Sequence, residues 1–200
     1  MPGSLFDLEQ PTLKLPARIV VDSSLIVPRL SAAQSTLTPI TAAHARRFFR
    51  LLRETPSVGL VPPTVFGEVV HFTLKTHFQD LLPAYRSELR ERRPRKRGAD
   101  WLDLYKLRPD LIGQLRPELE RLPSLLRANG LAILQPLDLA PLPLGRFWEG
   151  ELTRLVVRYH LDTNDTAILL EAQRAGITSI ATLDADLRRS ARDFDVYTWL

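Results

Sequence analysis

Short apolar runs alternate with amphipathic stretches along most of the chain. Five short, mostly apolar segments predict strands, at 18–22, 57–61, 131–137, 177–184 and 193–200. Apolar positions that recur every three or four residues predict helices between them, at 41–54, 64–78, 146–159 and 164–175. Strands that alternate with helices in this way are typical of an α/β fold with a mostly parallel sheet.

Polar, proline and glycine residues mark where these helices begin and end. Thr41 and Thr163 are suitable N-caps, and Pro63 fits the first turn of a helix. Glycine accepts the left-handed backbone that ends many helices, so Gly130 and Gly176 predict helix ends.

Residues 79–129 differ from the rest of the chain. Three prolines predict several short helical stretches there, at Pro109, Pro117 and Pro123. The segment 86–97 holds seven basic and two acidic residues. It is therefore either a surface for an anionic partner or a solvated loop.

Composition narrows the class of protein. The 200 residues are 44% hydrophobic and 25% charged, which is typical of one globular domain, with or without an insertion. The absence of cysteine excludes disulfides, zinc fingers and thiol nucleophiles. The apolar runs are too short to span a membrane, and the first residues lack the apolar core of a signal peptide, so we expect a cytoplasmic protein without membrane contact.

The formal net charge is +4, and only four of the 27 basic residues are lysines. Arginine pairs well with phosphate, but a genome-wide codon bias explains the same excess. The charge is therefore compatible with a nucleic-acid partner without requiring one.

Several carboxylates are predicted to lie near one edge of the sheet. Asp22 and Asp184 each follow a strand, with Asp186 two residues further on, and Glu68 follows a strand near the start of a helix. Asp165 lies in the first turn of its helix. Ligands of parallel sheets bind at the carboxyl ends of the strands, so we expect these acids to meet there. Each acid also has a structural explanation, as a turn residue, a helix-dipole partner or part of a solvated face.

A group of four carboxylates would need a cation. Two of them about 4 Å apart repel by roughly 4 kcal/mol at an effective dielectric constant near 20. Oxygen ligands without cysteine or a histidine pair suit Mg²⁺ or Mn²⁺. Such an ion supports phosphodiester hydrolysis by lowering the pKa of a bound water and by stabilising charge on the phosphate.

Four blocks of sequence resemble a known family. They are IVVDSSLIV (19–27), PPTVFGEVVH (62–71), LDTNDTAILLEAQRAG (161–176) and SIATLDADL (179–187). In this order, each with its acid, they are similar to the PIN domain, a nuclease domain found in many toxins of bacterial toxin–antitoxin pairs.

The resemblance implies a Rossmann-like three-layer α/β/α sandwich with a mostly parallel, five-stranded sheet. It also implies a divalent-metal-dependent endoribonuclease that hydrolyses RNA, with an antitoxin protein and a second copy of the chain as partners. The metal ligands it implies are Asp22, Glu68, Asp165 and Asp184, with Asp186 as a further candidate, supported by Ser24 and Thr182.

The chain is longer than the compact toxins of that family. We predict an N-terminal arm over 1–17 and a PIN-like domain over 18–200, with an enlarged basic, helical region at 79–129. Clustered cations neutralise phosphates, so we predict RNA-backbone contacts from Arg90, Arg92, Arg93, Arg95, Lys96 and Arg97.

Two other functions use the same residues. The domain could be a catalytically idle binding or scaffold module that acts through protein or RNA contacts, or a nuclease that cleaves DNA. Glu68 and His71 form one Glu-x-x-His pair, whereas a di-iron site needs two. The chain contains no HExxH, P-loop or GxGxxG motif.

Overall fold

A computed structural model of the chain describes residues 3–30, 38–92 and 98–200. Within these ranges the chain forms six strands and eight α-helices. It divides into two compact units, one made of Met1–Gly67 with Leu125–Leu200 and the other of Glu68–Ser124.

All six strands belong to one parallel sheet in the first unit, as the α/β prediction requires. They are β1 (Leu5–Asp7), β2 (Arg18–Val21), β3 (Val58–Val61), β4 (Leu131–Ile133), β5 (Ser179–Ala181) and β6 (Asp195–Thr198). Their order across the sheet is β1-β6-β5-β2-β3-β4, and each neighbouring pair is parallel.

The prediction of five strands is wrong by one. Residues 1–17, predicted as an arm, contain β1, which pairs with β6 so that Leu5 lies opposite Val196. The ring of Phe6 stacks on that of Tyr197, with centroids 4.6 Å apart. Residues 5–7 of the predicted arm are therefore an edge strand of the sheet.

The helices follow the strands in the predicted order. After β2 come α1 (Ser23–Leu30) and α2 (Pro39–Glu54), and after β4 come α7 (Trp148–Tyr159) and α8 (Thr163–Arg174). The helices between β3 and β4 are α3 (Pro63–Leu81), α4 (Arg86–Arg92), α5 (Trp101–Leu107) and α6 (Ile112–Ala128). In the part of the chain that the structure describes, none of these helices is both long enough and apolar enough to cross a membrane.

Two helix starts differ from the prediction. The N-cap of α2 is Thr38 rather than Thr41, because the Thr38 hydroxyl accepts the N–H of Thr41 and Pro39 opens the first turn. The N-cap of α8 is Asp162 rather than Thr163, because a carboxylate oxygen of Asp162 accepts the N–H of Asp165 at 2.9 Å.

The second unit has a small core of its own. Phe78, Leu89, Leu104 and Leu111 are buried together there. Helix α6 continues through Pro117 and Pro123, where we predicted breaks. Leu115 and Leu122, seven residues apart, are buried on one face of α6, and such packing outweighs backbone hydrogen bonds lost at the prolines.

The centre of the sheet is apolar on both faces, as is usual for parallel strands. Ile19, Val20 and Val21 of β2 are completely buried. Next to them, β3 approaches β4 so closely that a Cβ at Gly59 would lie 2.4 Å from a side-chain carbon of Leu131. This tight central sheet fixes the position of the residue that follows β2.

Candidate functional site

The strand order reverses between β2 and β5. From β2 the chain moves outward through β3 to β4, then returns to the other side of β2 with β5 and β6. In open α/β sheets such a reversal leaves a crevice at the carboxyl ends of the two strands. Asp22 directly follows β2 and Thr182 directly follows β5, so both lie at this crevice.

Asp22 is a buried carboxylate surrounded by hydrogen-bond donors, with an exposed fraction of 4%. Its Oδ1 accepts the backbone N–H of Ser23 at 2.7 Å. Its Oδ2 accepts the hydroxyls of Ser24 at 2.5 Å and of Thr182 at 2.8 Å. An ionised carboxylate has no hydrogen to donate, so this set of donors suits it.

The two hydroxyls that donate to Asp22 also accept hydrogen bonds from the turn after β5. The Ser24 Oγ accepts the N–H of Leu183, and the Thr182 Oγ1 accepts the N–H of Asp184, each at 2.9 Å. Each hydroxyl therefore donates its single hydrogen to Asp22 and accepts a backbone N–H with one of its own lone pairs. The PIN resemblance implied Ser24 and Thr182 as supporting residues of the site, and the structure brings them together with Asp22.

The turn after β5 is tied to a second segment. Asp184 is exposed, and its Oδ1 accepts the N–H of Asp186 at 2.8 Å. Asp186 in turn accepts from the guanidinium of Arg189 at 2.7 Å, and Arg189 also donates to the carbonyl of His160 at 2.6 Å. His160 ends α7 in the left-handed conformation, with φ of 54°. Arg189 thus joins the turn that carries Asp184 to the link between α7 and α8.

The remaining predicted acids lie on helices. Asp165 is in the first turn of α8, as expected. Glu68 is on α3 and is the first residue of the second compact unit. Among residues 3–30, 38–92 and 98–200, no three or more histidine or acidic side chains form a group that could hold a metal ion. The meeting of all four acids therefore stays a prediction, although their oxygen donors are of the kind that Mg²⁺ and Mn²⁺ prefer.

The basic residues predicted to contact RNA are only partly described. Arg90 and Arg92 lie exposed on α4, where Arg92 comes within 3.9 Å of Glu88. The other four lie outside the described residues, namely Arg93, Arg95, Lys96 and Arg97. The RNA contact at this segment stays a prediction.

Glu171 is a buried acid that the sequence analysis missed. It lies on α8 with an exposed fraction of 6%. Its carboxylate accepts the N–H of Thr64 at 3.0 Å and the Thr64 hydroxyl at 2.9 Å, in the first turn of α3. Burial raises the pKa of Glu171 above its usual value, and the two bonds from Thr64 partly oppose this. The available signal was its place in the apolar run ILLEA.

Comparison with models of known protein families finds no match, and neither does a search of the curated proteins. The likeness to PIN domains therefore rests on the four sequence blocks and their acids. The blocks with Asp22, Asp165 and Asp184 lie in the first compact unit.

Proposed function

We propose that this chain is a PIN-like endoribonuclease that uses Mg²⁺ or Mn²⁺ to hydrolyse phosphodiester bonds of RNA. The observation that carries the proposal is the buried carboxylate of Asp22 at the reversal of strand order. Ligands of open α/β sheets bind at this place, and the carboxylate oxygens of Asp22 are donors of the kind that a divalent cation prefers.

The connections of the sheet support the sandwich architecture that the proposal includes. The chain passes from β2 to β3 in one direction and from β4 back to β5 in the other. Connections between parallel strands are almost always right-handed, which places the helices of these two connections on opposite faces. This supports the proposed three-layer α/β/α sandwich, in which β1 would be an addition to the five strands of the PIN pattern.

The proposal gives each acid a part in holding the cation. Asp22 is the fixed ligand, because Ser24 and Thr182 hold its carboxylate in one orientation. Asp184 is the second proposed ligand, exposed on the turn after β5. Asp165 and Glu68 complete the proposed set. A bound divalent cation supplies an activated water and stabilises charge on the scissile phosphate.

Asp186 has a different part in this proposal. Its carboxylate is paired with Arg189, so we assign it first to holding the turn and only second to the metal. The partners that the resemblance to PIN domains implies are an RNA substrate, an antitoxin protein and a second copy of the chain.

One observation favours a second candidate, a catalytically idle module that acts through protein or RNA contacts. Both oxygens of Asp22 already accept hydrogen bonds from the protein, which satisfies the carboxylate without a cation. The two candidates differ in whether a cation stabilises the folded chain.

The first prediction tests this difference with melting temperatures in EDTA, Mg²⁺ and Mn²⁺. Binding to the folded state alone raises the free energy of unfolding by about 2.7 kcal/mol at a hundredfold excess over Kd. We expect this rise in the wild type and not in Asp22→Asn. We also expect Mg²⁺-dependent cleavage of a mixed RNA pool by the wild type, with at least a hundredfold loss in Asp22→Asn.

The matched control is Asp80→Asn, the same chemical change at an exposed aspartate of α3. It should keep both the thermal shift and the cleavage. Full cleavage by Asp22→Asn would refute the proposed function, and a wild type that neither binds the ions nor cleaves RNA would favour the idle module. Cleavage of DNA but not of RNA would mean that the substrate is DNA, and the proposed metal site would stay the same.

A further inference from the structure

Many arginines in this protein have a fixed partner. Carboxylates or backbone carbonyls accept hydrogen bonds from Arg47, Arg108, Arg154, Arg158, Arg174 and Arg189. Arg46, Arg50 and Arg53 of α2 differ, because all three are exposed and the structure gives none of them an ion pair within the part of the chain it describes. We call these three residues the α2 arginine stripe.

The stripe is a row on one side of the helix. Spacings of four and three residues place the three Cα atoms within an arc of about 60° and a length of about 10 Å along the axis. Ala45, Phe48, Phe49 and Leu52 are buried on a different side of α2. The core therefore fixes which way the stripe faces.

The stripe brings three like charges together on one side of its helix. Like charges three or four residues apart on a helix repel one another. The single acid of α2 is Glu54 at its last position, and no ion pair joins it to the stripe. An anionic partner would remove this repulsion.

We propose that the α2 arginine stripe binds the sugar–phosphate backbone of RNA. This inference rests on the proposed function, because it takes RNA as the substrate and adds a surface that holds the strand away from the acids. Guanidinium groups pair with phosphate through two parallel hydrogen bonds. A row of three such groups matches a partner whose negative charges are themselves in a row, as in a single strand.

The same residues argue against a lipid surface as the partner. A helix that lies on a membrane needs bulky apolar side chains exposed beside its cations. The phenylalanines and Leu52 of α2 are buried, and the exposed Ile40 is in the first turn, away from the stripe. Charge complementarity without an exposed apolar face favours a polyanion in solution.

The second prediction concerns how strongly salt weakens RNA binding. The triple variant Arg46→Ala, Arg50→Ala, Arg53→Ala is compared with Arg116→Ala, Arg121→Ala, Arg127→Ala, which removes three exposed arginines from α6. Both are made on Asp22→Asn and assayed in EDTA, so that the labelled single-stranded RNA stays intact. Affinity is measured by fluorescence anisotropy from 50 to 300 mM salt, roughly the range over which backbone contacts lose most of their affinity.

We expect the stripe variant to lower the slope of log affinity against log salt by about 2, since each phosphate contact on a single strand contributes about 0.7. The α6 control should keep the parental slope. Equal losses in both variants would assign the effect to net charge and overturn the proposal. An unchanged slope in the stripe variant, or no RNA binding by the parent, would also overturn it.

Two further measurements distinguish this proposal from a membrane partner and from the proposed nuclease function. If the stripe variant loses binding to phosphatidylserine vesicles but keeps RNA binding, the partner is a membrane and the proposal is wrong. Cleavage of RNA by the chain with Asp22 intact tests the proposed function independently. If the chain cleaves RNA but the stripe variant keeps the parental salt slope, the proposed nuclease function stands and RNA binding by the stripe is rejected. If the slope is lowered but the chain does not cleave RNA, RNA binding by the stripe stands and the nuclease function is rejected.

Discussion

Two buried threonines at the ends of neighbouring strands differ in what their hydroxyls contact. Thr182 follows β5, and its hydroxyl donates to Asp22 and accepts from the N–H of Asp184. Thr198 ends β6, and its buried hydroxyl has no hydrogen-bond partner among the residues that the structure describes. A buried polar group is costly without a partner and useful with one.

This contrast gives the third prediction. Thr182→Val should lower the free energy of unfolding by about 1–3 kcal/mol, because it leaves Asp22 and the N–H of Asp184 each short of a partner. Thr198→Val should leave stability unchanged or raise it, because the same isosteric change removes an unpaired hydroxyl. Urea unfolding of both variants measures this, and equal losses would contradict the network around Asp22.

For individual residues, the sequence was informative next to strand ends. It did not reveal residues whose role depends on burial in the tertiary structure. Asp22 was accessible to prediction because the end of a strand locates a side chain at the sheet edge. Ser24 and Thr182 were predicted only through the resemblance of their sequence blocks to PIN domains. Glu171 was not, because a glutamate in a helix is usually solvated and its partner Thr64 is 107 residues away in the chain. Only the packed fold shows that the two residues meet.

Glu171 links two elements, since it holds the first turn of α3 from the side of α8. Its pKa in the folded chain is raised above 4.5, its ordinary value, chiefly by burial. The folded state therefore binds the Glu171 proton more tightly than the unfolded chain does. The stability that Glu171 contributes is largest below pH 4.5 and falls as the pH rises through the folded pKa.

The fourth prediction follows from this fall in stability with rising pH. Glu171→Gln cannot titrate, and its amide can accept from the Thr64 N–H while it donates to the Thr64 hydroxyl. The variant should therefore gain stability relative to the wild type as the pH rises from 4.5. Urea unfolding across pH 4 to 8 measures the difference. Glu171→Ala is the control, because it loses both contacts at every pH, and a constant offset for Glu171→Gln would contradict the raised pKa.

Other elements show where local signals fail. The strands β2, β3 and β5 were predictable because buried β-branched runs are distinctive. α6 was mispredicted because proline disfavours helix locally, whereas the buried side chains of this helix act through packing. β1 has only three residues, LFD, and β6, the strand it pairs with in the described part of the chain, is at the other end of the sequence.

At the scale of the whole molecule, residues before β2 belong to the fold. Leu8 directly follows β1 and is fully buried, and its N–H donates to the carbonyl of Thr198. Arg47 of α2 donates to the carbonyls of Leu8 and Glu9. These contacts hold the segment in place from both the sheet and a helix.

The fifth prediction compares two leucines. Leu8→Ala should lower the free energy of unfolding by about 2–5 kcal/mol, as in any well-packed core. Leu137→Ala, at a side chain that is 97% exposed, should change it by less than about 0.5 kcal/mol. Thermal or urea unfolding distinguishes them, and a negligible loss for Leu8→Ala would mean that the segment is a dispensable arm after all.

The class of fold was predictable from the sequence, because alternation of strands and helices is a local pattern repeated along the chain. The arrangement of the acids was not, because it depends on side-chain directions that no local pattern encodes. Asp22 and Asp184 each follow a strand, as predicted, but the adjacency of those strands and the connection through Thr182 are visible only in the structure.

The pairing of β1 with β6 has a consequence for the order of folding. The N–H of Ser4 donates to the carboxylate of Asp195 across 191 residues of chain, so all of that intervening chain must be made before this contact can form. Closing so long a loop is entropically costly, and contacts of this kind slow folding. Of the six strands, β1 is synthesised first and is therefore expected to join the sheet last, and the outer edge of β6 stays open to other chains until it does.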